Sequence, residues 1–239
     1  MTSLSDKSTN EEIRERFDSE VERFSRLETG QQATIDAPLV LKLVARTAAA
    51  RLRPDSRILD IGCGAGNFTL RVMQETGPLH CHLVDLSPRM LERARSRAVD
   101  AGARSVTTYQ TDLRAMEFDE GSFDAILAGA VLHHLREDED WERVFRLLWR
   151  SLKPGGRLYV ADLIAFDDPS VHDVMWNQYG RYLTSLGGEA YRDKVFAYID
   201  KEDSPRSLPF QVALLQKSGF SSWEVLHKHG VCACYYADK

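Results

Sequence analysis

The sequence predicts an α/β fold, a doubly wound and mostly parallel sheet covered by helices, with an N-terminal helical arm and a helical insertion before the last helix and strand pair. Three observations predict it. Short apolar strands alternate with amphipathic helical stretches from about residue 57 to residue 163, the order that builds a parallel sheet with helices on both faces. Glycines cluster immediately after the first of those strands, in ILDIGCGAGNFTL at 58–70. The 239 residues, 43% hydrophobic and 28% charged, suit a soluble chain with a sizeable core.

Each element has its own signal. Ile13, Phe17, Val21 and Phe24 recur at helical spacing between charges, which predicts a helix over 10–27 broken at Gly30. A second helix is expected over 37–51, ended by the Arg-Pro-Asp-Ser stretch. Strands follow near 57–61, 81–85, 105–110, 123–128 and 157–163, with helices near 66–75, 88–100 and 139–151. In SLKPGGRLYVADLI the ProGlyGly reads as the turn that feeds the last of these strands. Beyond Ile164 comes a helical stretch rich in aromatics, with Trp176, Tyr179, Tyr182, Tyr191, Phe196 and Tyr198. These side chains either wall a substrate pocket or pack the insertion onto the core. A helix near 208–217 and strands near 221–227 and 231–237, around LysHisGly, complete the chain. The organisation expected is an arm over 1–35, acting as a lid or a dimer contact, and one domain over 36–239 with its insertion at about 168–205.

Composition narrows the function. No apolar run approaches the roughly 20 residues that span a bilayer, and the polar, acidic start lacks a signal-peptide pattern. A cytoplasmic protein without a membrane partner is the expectation. The net charge of −5 argues against broad nucleic-acid binding. Cys63, Cys81, Cys232 and Cys234 are too few for a disulfide framework, and Cys232 and Cys234, two apart, would share a strand face as small buried groups. His80 and His82 would also share a face, but four zinc ligands are not evident nearby, and no metal is expected.

A strand, a glycine-rich turn and a helix make a general nucleotide site. The dinucleotide fingerprint puts its third glycine three residues after its second. Here Gly62, Gly64 and Gly66 are each two apart, and Asn67 stands where that third glycine would be. Asp60, just ahead of the loop, would repel a pyrophosphate and attract an ammonium group. At about 4 Å and an effective dielectric near 20 that attraction is on the order of 4 kcal/mol before desolvation. Asp85 ends the next strand, where an acid can accept both hydroxyls of a ribose. Asp112 follows the strand after that and could accept from an exocyclic amine such as that of adenine. The ligand predicted is nucleoside-like and cationic.

This constellation resembles the class I S-adenosylmethionine-dependent methyltransferases, over about 36–164 by motif and beyond by the final helix and strand pair. The resemblance implies a seven-stranded sheet whose last strand is antiparallel, S-adenosyl-L-methionine as cofactor and S-adenosyl-L-homocysteine as product. It implies that Asp60, Gly62, Gly64 and Gly66 lie against the methionine moiety and that Asp85 with Leu86 holds the ribose. Asp112 and Leu113 would border the adenine, and Gly129 would line the methionine end. The layout after Ile164 gives a looser similarity to the carboxy-S-adenosylmethionine synthases, which act in tRNA wobble uridine modification. There Gly129 stands where that family has an asparagine, and Arg192 or Lys194 lies near the place of its carboxylate-binding arginine.

Methyl transfer from a sulfonium needs alignment first, and a base only where the acceptor loses a proton. In LAGAVLHHL, His133 and His134 follow the fourth strand at the sheet edge where such folds bind ligands. Because adjacent residues point in different directions, one at most is expected to act, and His133 is the candidate base. The leading expectation is a methyltransferase acting on a small-molecule acceptor, with homodimerisation possible. A carboxy-S-adenosylmethionine synthase-like enzyme, a non-catalytic cofactor-binding partner protein and, last, a dehydrogenase are the alternatives.

Overall fold

A computed structural model of the chain describes residues 7–26 and 32–239. Its sheet has seven strands: β1 Arg57–Ile61, β2 His80–Asp85, β3 Ser105–Gln110, β4 Phe123–Gly129, β5 Leu152–Leu163, β6 Ser222–His229 and β7 Cys232–Asp238. They lie in the order β3-β2-β1-β4-β5-β7-β6. The first five pair in parallel, whereas β7 runs antiparallel to both β5 and β6. The helices are α1 Asn10–Ser19, α2 Val21–Phe24, α3 Ala37–Ala49, α4 Asn67–Thr76, α5 Pro88–Asp100, α6 Asp138–Ser151, α7 Pro169–Glu202 and α8 Leu208–Ser218. The chain leaves β1 toward β2 and β3, then returns to the other side for β4 and β5. The crevice between β1 and β4, at their carboxyl ends, is therefore the switch point at which open α/β sheets take ligands.

Strand alternation divides the core in two. Ile58, Leu83 and Leu127 pack against Val44 of α3, Val72 of α4 and Ala94 of α5. Leu59, Ile61, Ile126 and Leu158 face the other way, onto Trp141, Phe145 and Leu148 of α6 and Leu215 of α8. Central strands apolar on both faces are what a sheet sandwiched between helices requires, and each such side chain contributes roughly 1.5–3 kcal/mol by leaving water. Under α7 a third cluster gathers Ile35, Tyr179, Leu183, Val231 and Cys232. All four cysteines are free and buried, Cys232 in this cluster and Cys234, on β7, in the same core as Ile58 and Val44. His80 Nδ1 meets Ser105 Oγ at 2.8 Å, and His82 Nδ1 meets Tyr109 Oη at 2.9 Å. No helix among the described residues is long and apolar enough to cross a membrane.

Two elements differ from the sequence expectation, and a third, the helical insertion, forms as expected with a kink. The first helix does not run on to residue 27. It ends at Glu20 (φ −106°, ψ 8°), whose N–H turns back to Phe17 O, and a separate short helix follows. The break lets both pieces dock on α5: Ser87 Oγ donates to Asp18 Oδ1 at 2.5 Å, and Arg93 pairs with Glu22. Gly30, the expected breaker, lies outside the described residues. The fifth strand starts earlier than residue 157, because Leu152 already pairs with Phe123. The register then shifts so that Arg157 lies opposite Ala125, with the ProGlyGly turn looped out between them. The aromatic stretch after Ile164 forms α7, kinked where Gly187 (φ −153°, ψ 18°) and Gly188 (φ 79°, ψ −178°) leave helical geometry.

Candidate functional site

The carboxyl ends of the parallel strands open into a cavity of about 870 Å³. Asp60 lines it from the end of β1, Gly62 and Gly64 from the β1–α4 loop, Asp85 and Leu86 from the end of β2, and Asp112 and Leu113 after β3. Gly129 enters from β4, followed by His133 and His134, and Asp162 from β5. Phe17 and Phe24 of the arm cover one side, and Tyr179, Tyr191 and Tyr198 of α7 another. Gly66, expected in the same ligand contact, does not line the cavity. It caps α4 with φ +83°, and a Cβ there would stand 3.2 Å from Ala94 Cβ, so its role is the close approach of α4 to α5.

The three acids differ in their surroundings. Asp60 is buried, and its Oδ2 accepts from the N–H (3.3 Å) and the hydroxyl (2.7 Å) of Thr69. Its Oδ1 has no hydrogen-bond partner among the described residues. Burial raises its pKa to about 7, against the pull of those bonds. Asp85 accepts from Gly64 N–H through Oδ2 (2.8 Å) and from Ser87 N–H through Oδ1 (2.9 Å), and burial raises it to about 6. Each of its oxygens keeps a further lone pair. Asp112, expected to accept from an amine, already has partners in the protein. Its Oδ1 takes Arg114 N–H (2.7 Å) and Nε (2.8 Å), and its Oδ2 takes Arg114 Nη2 (2.6 Å) and Asn10 Nδ2 (2.7 Å). Four donors fill a carboxylate, so no site is left for an amine.

Two glycines are required sterically. Gly62 has φ +61°, and a Cβ there would fall 2.1 Å from Val131 Cγ2. A Cβ at Gly129 would fall 2.3 Å from the ring of Phe68, which itself lines the cavity. At Gly64 a Cβ would meet nothing within 4 Å, so a methyl group there would project into empty space beside the acids.

The two histidines also correct an expectation. They sit on a short 3-10 turn, Leu132–His134, and their rings converge with centroids 4.3 Å apart. Asp203, just past α7, is the reason. His133 Nε2 lies 3.7 Å and His134 Nδ1 3.3 Å from its Oδ1, so both face one buried carboxylate. Asp162 holds the far side of His133 through its ring Nδ1 and its backbone N–H (3.1 Å). Burial acts to lower His133, but the charges of Asp162 and Asp203 outweigh it and raise the imidazole to about 9. His134 is lowered by burial and by His133 beside it.

Sequence reasoning missed Asp162 and Asp203. Asp162 had a usable signal, since ADLI ends a strand in an acid just as the strands of Asp60 and Asp85 do. Asp203 had none, because only the path of α7 brings it to the histidines. Of the two cations weighed for a carboxylate, Lys194 lines the cavity, while Arg192 pairs with Asp193 and Glu189.

Residues 58–156 match a family described as a methyltransferase domain. Over 194 residues the chain is 28% identical to the demethylmenaquinone methyltransferase of Listeria monocytogenes serotype 4a (strain HCC23), covering 79% of this chain and 80% of that one. The matched domain, the relatives and the seven-stranded sheet together support a class I S-adenosylmethionine-dependent methyltransferase. Its cofactor is S-adenosyl-L-methionine and its product S-adenosyl-L-homocysteine. This methyltransferase superposes on the YcgJ protein of Bacillus subtilis with a TM-score of 0.59 at 26% identity, over 79% of this chain and 70% of that chain. It is also 28% identical over 152 residues to the carboxy-S-adenosyl-L-methionine synthase of Erwinia tasmaniensis (strain DSM 17950), covering 62% of this chain and 60% of that protein. The cavity of the methyltransferase fits its cofactor: an unpartnered carboxylate oxygen on Asp60, accepting lone pairs on Asp85 and open backbone at Gly64 match an ammonium, a ribose and a close-lying chain in turn.

Proposed function

We propose that this methyltransferase acts on a small-molecule acceptor that gives up a proton as it is methylated, with His133 as the base. When bound, S-adenosyl-L-methionine supplies a methyl group on a sulfonium that departs as a neutral thioether. Asp60 holds the ammonium group through its unpartnered Oδ1, and Gly62 and Gly64 let the methionine chain lie on the backbone. Asp85, beside Leu86, accepts the ribose hydroxyls while Gly64 and Ser87 keep it fixed. Leu113 and the rim at Asp112 border the adenine, and Gly129 bounds the methionine end.

The observation that carries the acceptor side is the buried pair of His133 and Asp162 in the cavity wall. Asp162 takes the proton-bearing Nδ1 edge, which leaves Nε2 as the atom able to receive a proton. A general base is useful only to an acceptor with a proton to lose. The aromatic walls from α1, α2 and α7 exclude water from the transfer and suit an acceptor with a flat or apolar body. Calorimetry with S-adenosyl-L-methionine, followed by a screen of phenolic, enolic and amine acceptors for S-adenosyl-L-homocysteine release, tests the reading. Turnover confined to acceptors without an ionisable proton, unaffected by His133→Gln, would refute it.

A further inference from the structure

A second cluster of metal-type donors lies outside the cavity, at the far edge of the sheet. His227 and His229 are two apart on β6, so alternation puts both on one face, and their stretch pairs regularly with β7 at Cys234 and Cys232. Lys228, between them, points to the other face, with its ammonium 5.0 Å from the centre of the Phe166 ring. Asp36 reaches the two imidazoles from the start of α3. Its Oδ2 lies 2.9 Å from His227 Nε2 and 2.8 Å from His229 Nδ1. An aspartate in this place ordinarily caps the helix, yet Asp36 makes no side-chain cap and stands in the left-handed region at φ 58°. Its carboxylate serves the histidines instead. The three donor atoms all lie within 4.8 Å of one another.

We propose that Asp36, His227 and His229 form a binding site for a divalent transition cation of the zinc type, separate from the methyl-transfer cavity. Two imidazoles and one carboxylate are a donor set that suits such ions, and three protein ligands leave a position for water. His229 is half exposed, which gives the ion and that water a way in. An imidazole ligates a metal as the tautomer whose ring proton sits on the other nitrogen, here the one facing away from Asp36, so that the lone pair toward Asp36 goes to the metal. Ligand atoms at about 2.0–2.1 Å from a tetrahedral ion stand about 3.3 Å apart, so the present N···O separations have to open by only a few tenths of an ångström.

The site has a consequence for the cavity. Asp36 closes a segment whose Gln32, Ala33 and Thr34 line the cavity. The hydroxyls of Tyr179 and Tyr182 on α7 donate to Ala33 O and Gln32 O, each at 2.9 Å. An ion on Asp36 therefore ties this wall of the cavity to the edge strand.

The test uses the full chain after treatment with a chelator. Zn²⁺ is titrated by calorimetry and Co²⁺ by visible absorption, with Mg²⁺ as a control that disfavours imidazole. One equivalent of Zn²⁺ should bind, Co²⁺ should give the intense bands of a low-coordinate site, and Mg²⁺ should give neither. Asp36→Asn, and separately the double variant His227→Gln with His229→Gln, should weaken Zn²⁺ by at least about tenfold while leaving cofactor affinity intact as a sign of correct folding. His133→Gln with His134→Gln should leave Zn²⁺ binding unchanged. Full-strength binding in the Asp36 and β6 variants, loss confined to the His133 and His134 variant, or no binding by the unmodified chain would each overturn the proposal.

Discussion

Asp162 holds His133 twice, accepting the backbone N–H through Oδ2 at 3.1 Å and the ring Nδ1 through Oδ1. One side chain thus fixes both where the imidazole starts and how its plane is turned. The remaining nitrogen, Nε2, is 3.7 Å from Asp203 in the wall of the cavity. Position and basicity come from the same two acids.

That arrangement fixes the direction of a pH profile. A base must be unprotonated to work, and His133 titrates at about 9, so kcat/KM should climb with pH and level off near 9. Asp162→Asn removes a negative charge and the orienting acceptor together. Its profile should move toward acid, with a fall in kcat of roughly 10²–10⁴-fold. Stability runs the opposite way. The folded value lies above the ordinary 6.5, so this contribution is full below about 6.5 and is lost as pH rises toward 9. Rates of S-adenosyl-L-homocysteine release and melting temperatures across that range check both signs, and a profile left in place by Asp162→Asn counts against the dyad.

Asp60 links cofactor affinity to pH. Its carboxyl is raised to about 7 by burial, so it is protonated below that value and cannot attract an ammonium group. Affinity for S-adenosyl-L-methionine should therefore fall as pH drops through about 7. In the ligand-free protein the sign of the stability term follows from the same shift. The term favours the fold below the ordinary 3.8 and is lost as pH rises to about 7, so the cofactor should raise the melting temperature most at the alkaline end. Asp60→Asn should cost about tenfold or more in affinity, since hydrogen bonds to charged groups contribute about 1.5–3 kcal/mol, and should flatten the pH dependence seen by calorimetry.

Gly129 and Phe68 should fail together. Adding a methyl group at Gly129 forces the Phe68 ring to move, because the new carbon would lie 2.3 Å from it. Overpacking of this kind costs typically 1–3 kcal/mol, so Gly129→Ala should lower stability by about that amount and weaken the cofactor. Phe68→Leu in the same chain should recover part of the stability. Equal stability of Gly129→Ala and the parent in urea would show that the ring yields freely.

What could be read beforehand was what a strand end determines locally. ILDIGCGAGNFTL and HLVDLS each put an acid at the carboxyl end of a strand, and the parallel order then brings Asp60 and Asp85 to one crevice. Spacing does not say whether a glycine serves a ligand or a helix contact, and the approach of Ala94 to Gly66 from 28 residues away is visible only in the fold. The convergence of His133 and His134 was illegible for a similar reason. Alternation separates neighbours on a strand, whereas a 3-10 turn and an acid delivered by a distant helix draw them together.

The saturated carboxylate of Asp112 leads to the last expectation. Arg114 belongs to the same turn, but Asn10 comes from the arm, and its Nδ2 occupies the position on Asp112 Oδ2 that an adenine amine would need. Adenine recognition through Asp112 therefore requires Asn10 to give way. Asn10→Ala frees that lone pair, while the arm stays anchored by Arg16 on Glu202 and by Ser87 on Asp18. A hydrogen bond exchanged for another is worth about 0.5–1.5 kcal/mol net, so Asn10→Ala should tighten S-adenosyl-L-homocysteine by a few-fold to about tenfold. Asp112→Asn should weaken it in the parent chain and erase the gain in the Asn10→Ala background. An Asn10→Ala variant that binds more weakly than the parent would mean that the arm touches the adenine directly and that Asp112 only holds the arm in place.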